Sequence, residues 1–266
     1  MEKTGNIRKM SIVIENDTAQ YKFIIGEEKI ELNQFVGNQF RLKYLNKINC
    51  IKCGKETKKS FAQGYCYSCF ISAPETEDCV LRPELCQAHN GIARDMSYAK
   101  ENCLIDHYVY LANTSGIKVG VTRNTQIPTR WLDQGAEQAI KLAKTPNRYL
   151  AGLIEVELKK IMADKTNWRK LLTGESDLEI NLIAEKAKII QKIPEQYHHY
   201  ICDLNDVFMV NYPVIEYPTK VSSLNFDNES LISGILKGIK GQYLIFNDNK
   251  VLNVRKFGGY LVEISY

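Results

Sequence analysis

Four cysteines follow the pattern C-x2-C-x12-C-x2-C, at Cys50, Cys53, Cys66 and Cys69. A two-residue gap lets both thiolates of a pair turn onto one ion, and two such pairs complete a tetrahedral four-sulfur shell. Gly54 follows the second cysteine and relieves the tight turn there. A shell of four thiolates leaves no open position, so the expected role is structural. Zinc is the expected ion, and the spacing also leaves open an iron–sulfur cluster. Four unrelated buried thiols would not explain why both pairs share one spacing.

A looser set follows: Cys79, Cys86, His89 and Cys103, with His107 as a further candidate. The "CQAH" stretch has the C-x2-H gap of a metal knuckle, and its loop-rich surroundings need an anchor. A second zinc is expected here. The competing reading is reduced cysteines packed as small hydrophobes. Cys202 stands apart and reads as core, and the adjacent His198 and His199 read as surface residues. Seven of the eight cysteines lie within residues 50–105. No apolar leader core follows the N-terminal "MEKTGNIRKM", and no apolar run approaches the length of a bilayer span. A cytoplasmic location is therefore expected, where cysteines serve as metal ligands more often than as disulfides.

The elements that must position these residues divide the chain into several units, giving an α+β, multidomain expectation. With 266 residues and 44% hydrophobic content, packed interiors are feasible. Residues 1–49 read as a β unit from the runs "SIVIE", "YKFII" and "QFRLKY". Residues 50–105 read as a cysteine-rich zinc module. Residues 106–172 read as a hairpin and helices. The hairpin is Tyr108–Thr122, turning at Asn113–Gly116. One helix is expected from Pro128 to Ala143. A second opens near Asn147 and runs to about Ala163 with Leu150, Leu153, Ile154, Leu158 and Ile161 on one stripe. A short third helix covers "TNWRKLL". Residues 173–200 read as a helical linker that Ser176 or Asp177 would cap and Pro194 would end. Residues 201–266 read as a β barrel or sandwich with a turn at Asn247–Asn249.

The segment "YVYLANTSGIKVGVT", with Arg130 and Glu155 beyond it, resembles the catalytic domain of GIY-YIG nucleases. In that pattern the first strand ends in G-[IV]-Y and the second in Y-I-G. An arginine follows on the first helix and a metal-binding glutamate on a later one. On this resemblance Tyr110 takes the first tyrosine position, Gly120 the glycine, Arg130 the arginine and Glu155 the glutamate, with Leu158 at the expected offset. The resemblance covers about 55 residues. Tyr108 replaces the first glycine, Lys118 replaces the second tyrosine, and Arg130 lies ten positions after Gly120. Branches of the superfamily also carry K-I-G or K-V-G. The resemblance implies a Mg²⁺-dependent nuclease: Glu155 would hold Mg²⁺, Arg130 would contact the scissile phosphate and Tyr110 would position the nucleophile. Lys118 suits a phosphate contact, and would act as a base only if burial lowered its pKa by several units. Lys118, Arg130 and Glu155 are expected on one face of a small sheet. Glu157 competes with Glu155 for the metal role, and Trp131 and Trp168 read as core.

A second resemblance covers nearly the whole chain. The run "CIKCG", "RPELC", "YVYL", "KVGVTR", "IPTRWLDQGA" and "NRYLAGLIE" resembles a bacterial family described only as a domain of unknown function. It brings no activity. Charge adds direction: residues 106–172 hold eleven Lys/Arg against six Asp/Glu, whereas residues 173–266 hold nine against twelve. The basic segment coincides with the nuclease-like core and favours nucleic acid as partner. The reading is therefore a zinc-containing, nucleic-acid-binding protein, with metal-dependent phosphodiester cleavage left open. The alternatives are a core that binds DNA or RNA without cleaving it, and a scaffold whose zinc modules recruit a protein partner.

Overall fold

Alternation of apolar and polar residues builds most of the sheet structure. In the computed structural model, which describes residues 2–175 and 179–266, β1 (Glu2–Asn6), β2 (Ser11–Glu15), β3 (Thr18–Ile25), β4 (Glu28–Glu31) and β5 (Gln39–Ile48) come first. In β3 every second residue, Ala19, Tyr21, Phe23 and Ile25, is fully buried, as the two-residue period of a strand requires. The middle of the chain carries α1 (Tyr67–Ser72), α2 (Met96–Asn102), β6 (His107–Asn113), β7 (Ile117–Arg123), α3 (Thr129–Asp133), β8 (Gln138–Thr145), α4 (Arg148–Lys159), α5 (Trp168–Leu172), α6 (Leu182–Ile190) and β9 (Val207–Met209). The last part adds β10 (Ser222–Ser223), β11 (Leu231–Lys240), β12 (Tyr243–Phe246), β13 (Lys250–Asn253) and β14 (Tyr260–Ser265).

Two compact units result, and neither is one continuous stretch. The first takes the chain up to Ile71 with Arg169–Glu175 and Val210–Tyr266; the second takes Ser72–Trp168 and the stretch ending at Met209. In the first unit seven strands form one sheet in the order β1-β14-β5-β11-β12-β13-β10, beside a three-stranded sheet β2-β3-β4. The N- and C-terminal β segments, read from sequence as separate units, thus share a sheet. β5 lies between β14 and β11, antiparallel to both. Among the described residues there is no closed barrel, because the large sheet ends on β1 and β10. Local alternation identifies a strand, but it does not name the partner that satisfies its edge.

In the second unit the sheet order is β7-β6-β8-β9, all antiparallel. One face packs Val109, Leu111, Val119 and Ile140 against Ala151, Ile154 and Leu158 of α4 and Leu182 of α6. The opposite face packs Tyr110, Ala112 and Ala139 against Trp131. The expected helix from Pro128 to Ala143 is only a short one, α3, followed by the strand β8. Gly135 adopts a left-handed conformation just after α3, and "QAIKLAKT" is then buried between β6 and β9. The expected linker is part of this core, since Leu182 and Ile193 lie inside it. Asn181 caps α6 through its side chain; the caps expected at Ser176 and Asp177 lie outside the described residues. Among the described residues no helix is long and apolar enough to cross a membrane.

Candidate functional site: a polar cleft and two cysteine groups

β7 is an outer strand of its sheet, and three of its consecutive residues, Val119, Gly120 and Val121, line a small cleft of about 90 Å³. Tyr110, Arg130, Gln134, Glu155 and Asp164 complete its polar wall; Leu81 and Pro83 are among its apolar residues. The strand register explains part of this. Tyr110 sits opposite Gly120 across the hairpin, and its phenol lies over the glycine. A Cβ at position 120 would come within 2.6 Å of the Tyr110 hydroxyl, so the ring occupies the space that any other residue would fill. The hydroxyl donates to Gln134 Oε1 at 2.9 Å, and the ring meets Trp131 edge-on at 5.9 Å. Arg130, on α3, is half-buried at the cleft, and among the described residues its Nε has no hydrogen-bond partner.

Glu155 reaches the cleft from α4, whose apolar stripe packs on the opposite sheet face from Tyr110. The expectation that Lys118, Arg130 and Glu155 share one sheet face is therefore corrected. The residues meet around β7, where the register sets Lys118 opposite Ala112, on the Tyr110 face, with α4 behind. Burial pushes the Glu155 carboxyl up in pKa, opposed by the ammonium of Lys159 at 3.0 Å. The same ammonium lies 3.5 Å from Asp164. Lys118 is almost completely buried; burial, and then the charge of Arg130, lower its pKa to about 7, against the pull of Asp164 and Glu155. Beside Lys118 the chain returns as a short bridge, with the Val119 amide donating to the Ala163 carbonyl at 2.9 Å. Asp164, Lys159 and Gln134 were not singled out from sequence. The four-residue spacing from Glu155 to Lys159 was a readable signal, because such pairs adjoin on a helix. Asp164 sits in a loop whose position no local pattern encodes. Glu157, the rival acid, instead pairs with Lys160 at 2.5 Å.

The first cysteine group, Cys50, Cys53, Cys66 and Cys69, brings all four sulfurs within 4.8 Å of one another. Cys53 and Cys66 stand 3.8 Å apart. Metal–sulfur bonds of about 2.3 Å in a tetrahedron place sulfurs roughly 3.8 Å apart, so this separation is the one that a shell able to hold one ion requires. Burial would raise the Cys50 thiol, but backbone amides of Cys53, Cys66 and Lys52 outweigh it and bring the thiol down to about 6. Such amides stabilise a thiolate ligand. The knuckle is fastened to its unit by Arg8 donating to the Ile51 carbonyl (2.9 Å) and by the Asn49 amide donating to Gly259 (2.8 Å).

The second group contains three sulfurs rather than four ligands: Cys79, Cys86 and Cys103 lie within 4.8 Å of one another and are buried. His89 is not part of it. Its ring, on a single 3-10 turn, is exposed and stacks on Tyr149 at 4.3 Å. His107 is not part of it either: its Nδ1 faces the Ile105 carbonyl at 2.8 Å, and burial first, then the charges of Arg148 and Arg123, lower its pKa to about 4. Arg148, the first residue of α4, donates to Cys79 Sγ at 3.4 Å and to the Asn102 carbonyl at 3.0 Å. Its amide donates to the Cys103 carbonyl. The loop between Cys79 and Cys86 also presses on α4. A Cβ at Gly152 would fall 2.2 Å from the Glu84 amide nitrogen, so only glycine allows this approach. The cysteine loop thus holds the helix that carries Glu155.

Fold and site together define a mixed α+β protein with cysteine groups whose geometry could hold metal ions. Over residues 37–262 the chain matches the family described as "Protein of unknown function (DUF2797)", and it belongs to that family. None of the curated proteins and none of the solved structures matches it.

Proposed function

We propose that this chain binds nucleic acid at the β7 cleft and cleaves a phosphodiester bond there with Mg²⁺, while its two cysteine groups hold zinc. The carrying observation is the meeting of Tyr110, Arg130 and Glu155 at one cleft, with Lys118 buried beside it. Phosphodiester cleavage needs cationic groups where charge develops on the phosphoryl oxygens, and a base for the attacking water. Arg130 serves the first need through paired N–H donors. Lys118 serves the second, because a lysine brought to about 7 is partly neutral near pH 7, where a general base works best. Tyr110, tethered to Gln134, orients the nucleophile.

The cleft's donors fit a hard divalent cation. Glu155 and Asp164 offer oxygen only, and the ammonium of Lys159 already bridges them at 3.0 and 3.5 Å. These two carboxylates would hold Mg²⁺, in competition with Lys159 for the same oxygens. The bound ion supplies electrostatic stabilisation of the developing phosphoryl charge. The basic excess of residues 106–172 supports attraction of a polyanion.

The test has two arms. Titration of a labelled duplex and a labelled single strand at two salt concentrations should show affinity falling steeply with salt, as phosphate contacts require. Adding Mg²⁺ should then produce cleaved product from wild type and none from Glu155→Gln, with binding retained. Salt-insensitive or absent binding overturns the reading. Binding without cleavage under Mg²⁺ or Mn²⁺ reduces it to recognition alone.

A further inference from the structure

We infer that Cys79, Cys86 and Cys103 hold one metal ion whose fourth coordination position opens into a cavity and takes a small neutral nitrogen donor in exchange for water. The inference rests on zinc at this group and not on the phosphodiester reading. Three sulfurs within 4.8 Å of one another match a shell around a single ion, and a tetrahedral ion needs one more ligand. Among the described residues no histidine nitrogen or carboxylate oxygen joins the three. Three protein ligands with one free position is the arrangement of an exchangeable metal site, in contrast to the closed shell of Cys50, Cys53, Cys66 and Cys69.

The free position has somewhere to lead. All three cysteines line one cavity of about 460 Å³, a volume in the range of small-ligand pockets. Its other walls include Leu85, Ile92 and Arg94, with Glu77 and Asp78. Charge selects the ligand. A divalent ion with three thiolates carries one net negative charge, and the Arg148 guanidinium on Cys79 Sγ balances it. With two carboxylates against one guanidinium, the wall adds no positive excess that would draw an anion in. A neutral donor with an apolar body therefore fits where a carboxylate, phosphate or azide does not. Imidazole is the simplest such probe.

The experiment uses the full-length protein loaded with zinc, and separately with Co²⁺. Metal analysis should find two ions per chain, one for each group. X-ray absorption of the zinc protein should average about 3.5 sulfurs per ion, with the balance a light atom. The visible spectrum of the cobalt protein should shift saturably with imidazole, both ions remaining bound, and should not shift with azide at equal concentration. Cys86→Ser should hold one ion and lose the imidazole response. Should that variant fail to fold, the sulfur count and the wild-type titration decide alone. One ion per chain in wild type overturns the metal assignment itself. Two ions with four sulfurs each, an unresponsive spectrum, or an ion stripped by imidazole overturns the open position. A response to azide instead of imidazole overturns the ligand class.

Discussion

At the scale of single residues, the cleft turns on where charge can be tolerated. Lys118 is held near neutrality by burial and by Arg130, so its protonation state changes around pH 7. If it is the base, it works only when deprotonated. Cleavage should therefore rise as pH increases through about 7 and level off above it. Lys118→Arg, which stays charged throughout, should remove this rise along with most of the rate; a pH–rate profile of both proteins checks it. Arg130→Ala should weaken nucleic-acid binding by about 1–3 kcal/mol if its contact is charge-assisted, measured by titration at low salt. Lys159→Met should act in the opposite sense. It frees Glu155 and Asp164 from their own cation, so Mg²⁺ should bind more tightly, as followed by calorimetry. Unchanged Mg²⁺ affinity would mean that the two carboxylates serve only their ion pair.

At the scale of elements, α4 is where the cysteine loop and the cleft are joined. Arg148 binds the cysteine group at one end of the helix, and Glu155 faces the cleft two turns later. Gly152→Ala would force α4 away from the Pro83–Glu84 turn, an overpacking that costs about 1–3 kcal/mol. Thermal unfolding and the zinc content of the Cys79 group should both register it. Much of this level was legible beforehand. The C-x2-C pairs encode their site locally, because a ligand spacing is a property of neighbouring residues. The hairpin was legible for the same reason: its turn residues and its alternation lie within one short stretch. Asn147 capping α4 was readable too, and the structure has its side chain accepting from the Leu150 amide. What failed was "AIKLAK", which suits a helix by propensity and becomes a strand because β6 and β9 flank it. His89 failed likewise, since a C-x2-H gap cannot reveal that Tyr149 offers its ring a competing partner.

At the scale of the whole molecule, the first unit is assembled from chain segments far apart in sequence, and the four-cysteine group sits directly after β5. Cys53→Ser should release one ion per chain and destabilise the segment around residues 50–71, whereas the Cys79 group should keep its ion. Structural zinc can contribute on the order of 10 kcal/mol to a small module, so the loss should be evident in metal analysis and in proteolysis of that segment. Release of both ions would mean that the two groups are not independent.

The position of β5 also sets an order of events during synthesis. Both of its neighbours, β11 and β14, belong to the final part of the chain. Ile48 and Leu231 are separated by roughly 180 residues, so at about 5–20 residues per second β5 waits on the order of 10–40 s for its first hydrogen-bonded partner in that sheet. Its unpaired edges are an aggregation hazard for that interval. The cysteines that follow it leave the ribosome almost at once and can close on an ion without any distant strand. An ion held at this position would then act as a temporary clasp for the nascent chain, holding one end of β5 in place before the sheet that will bury it exists.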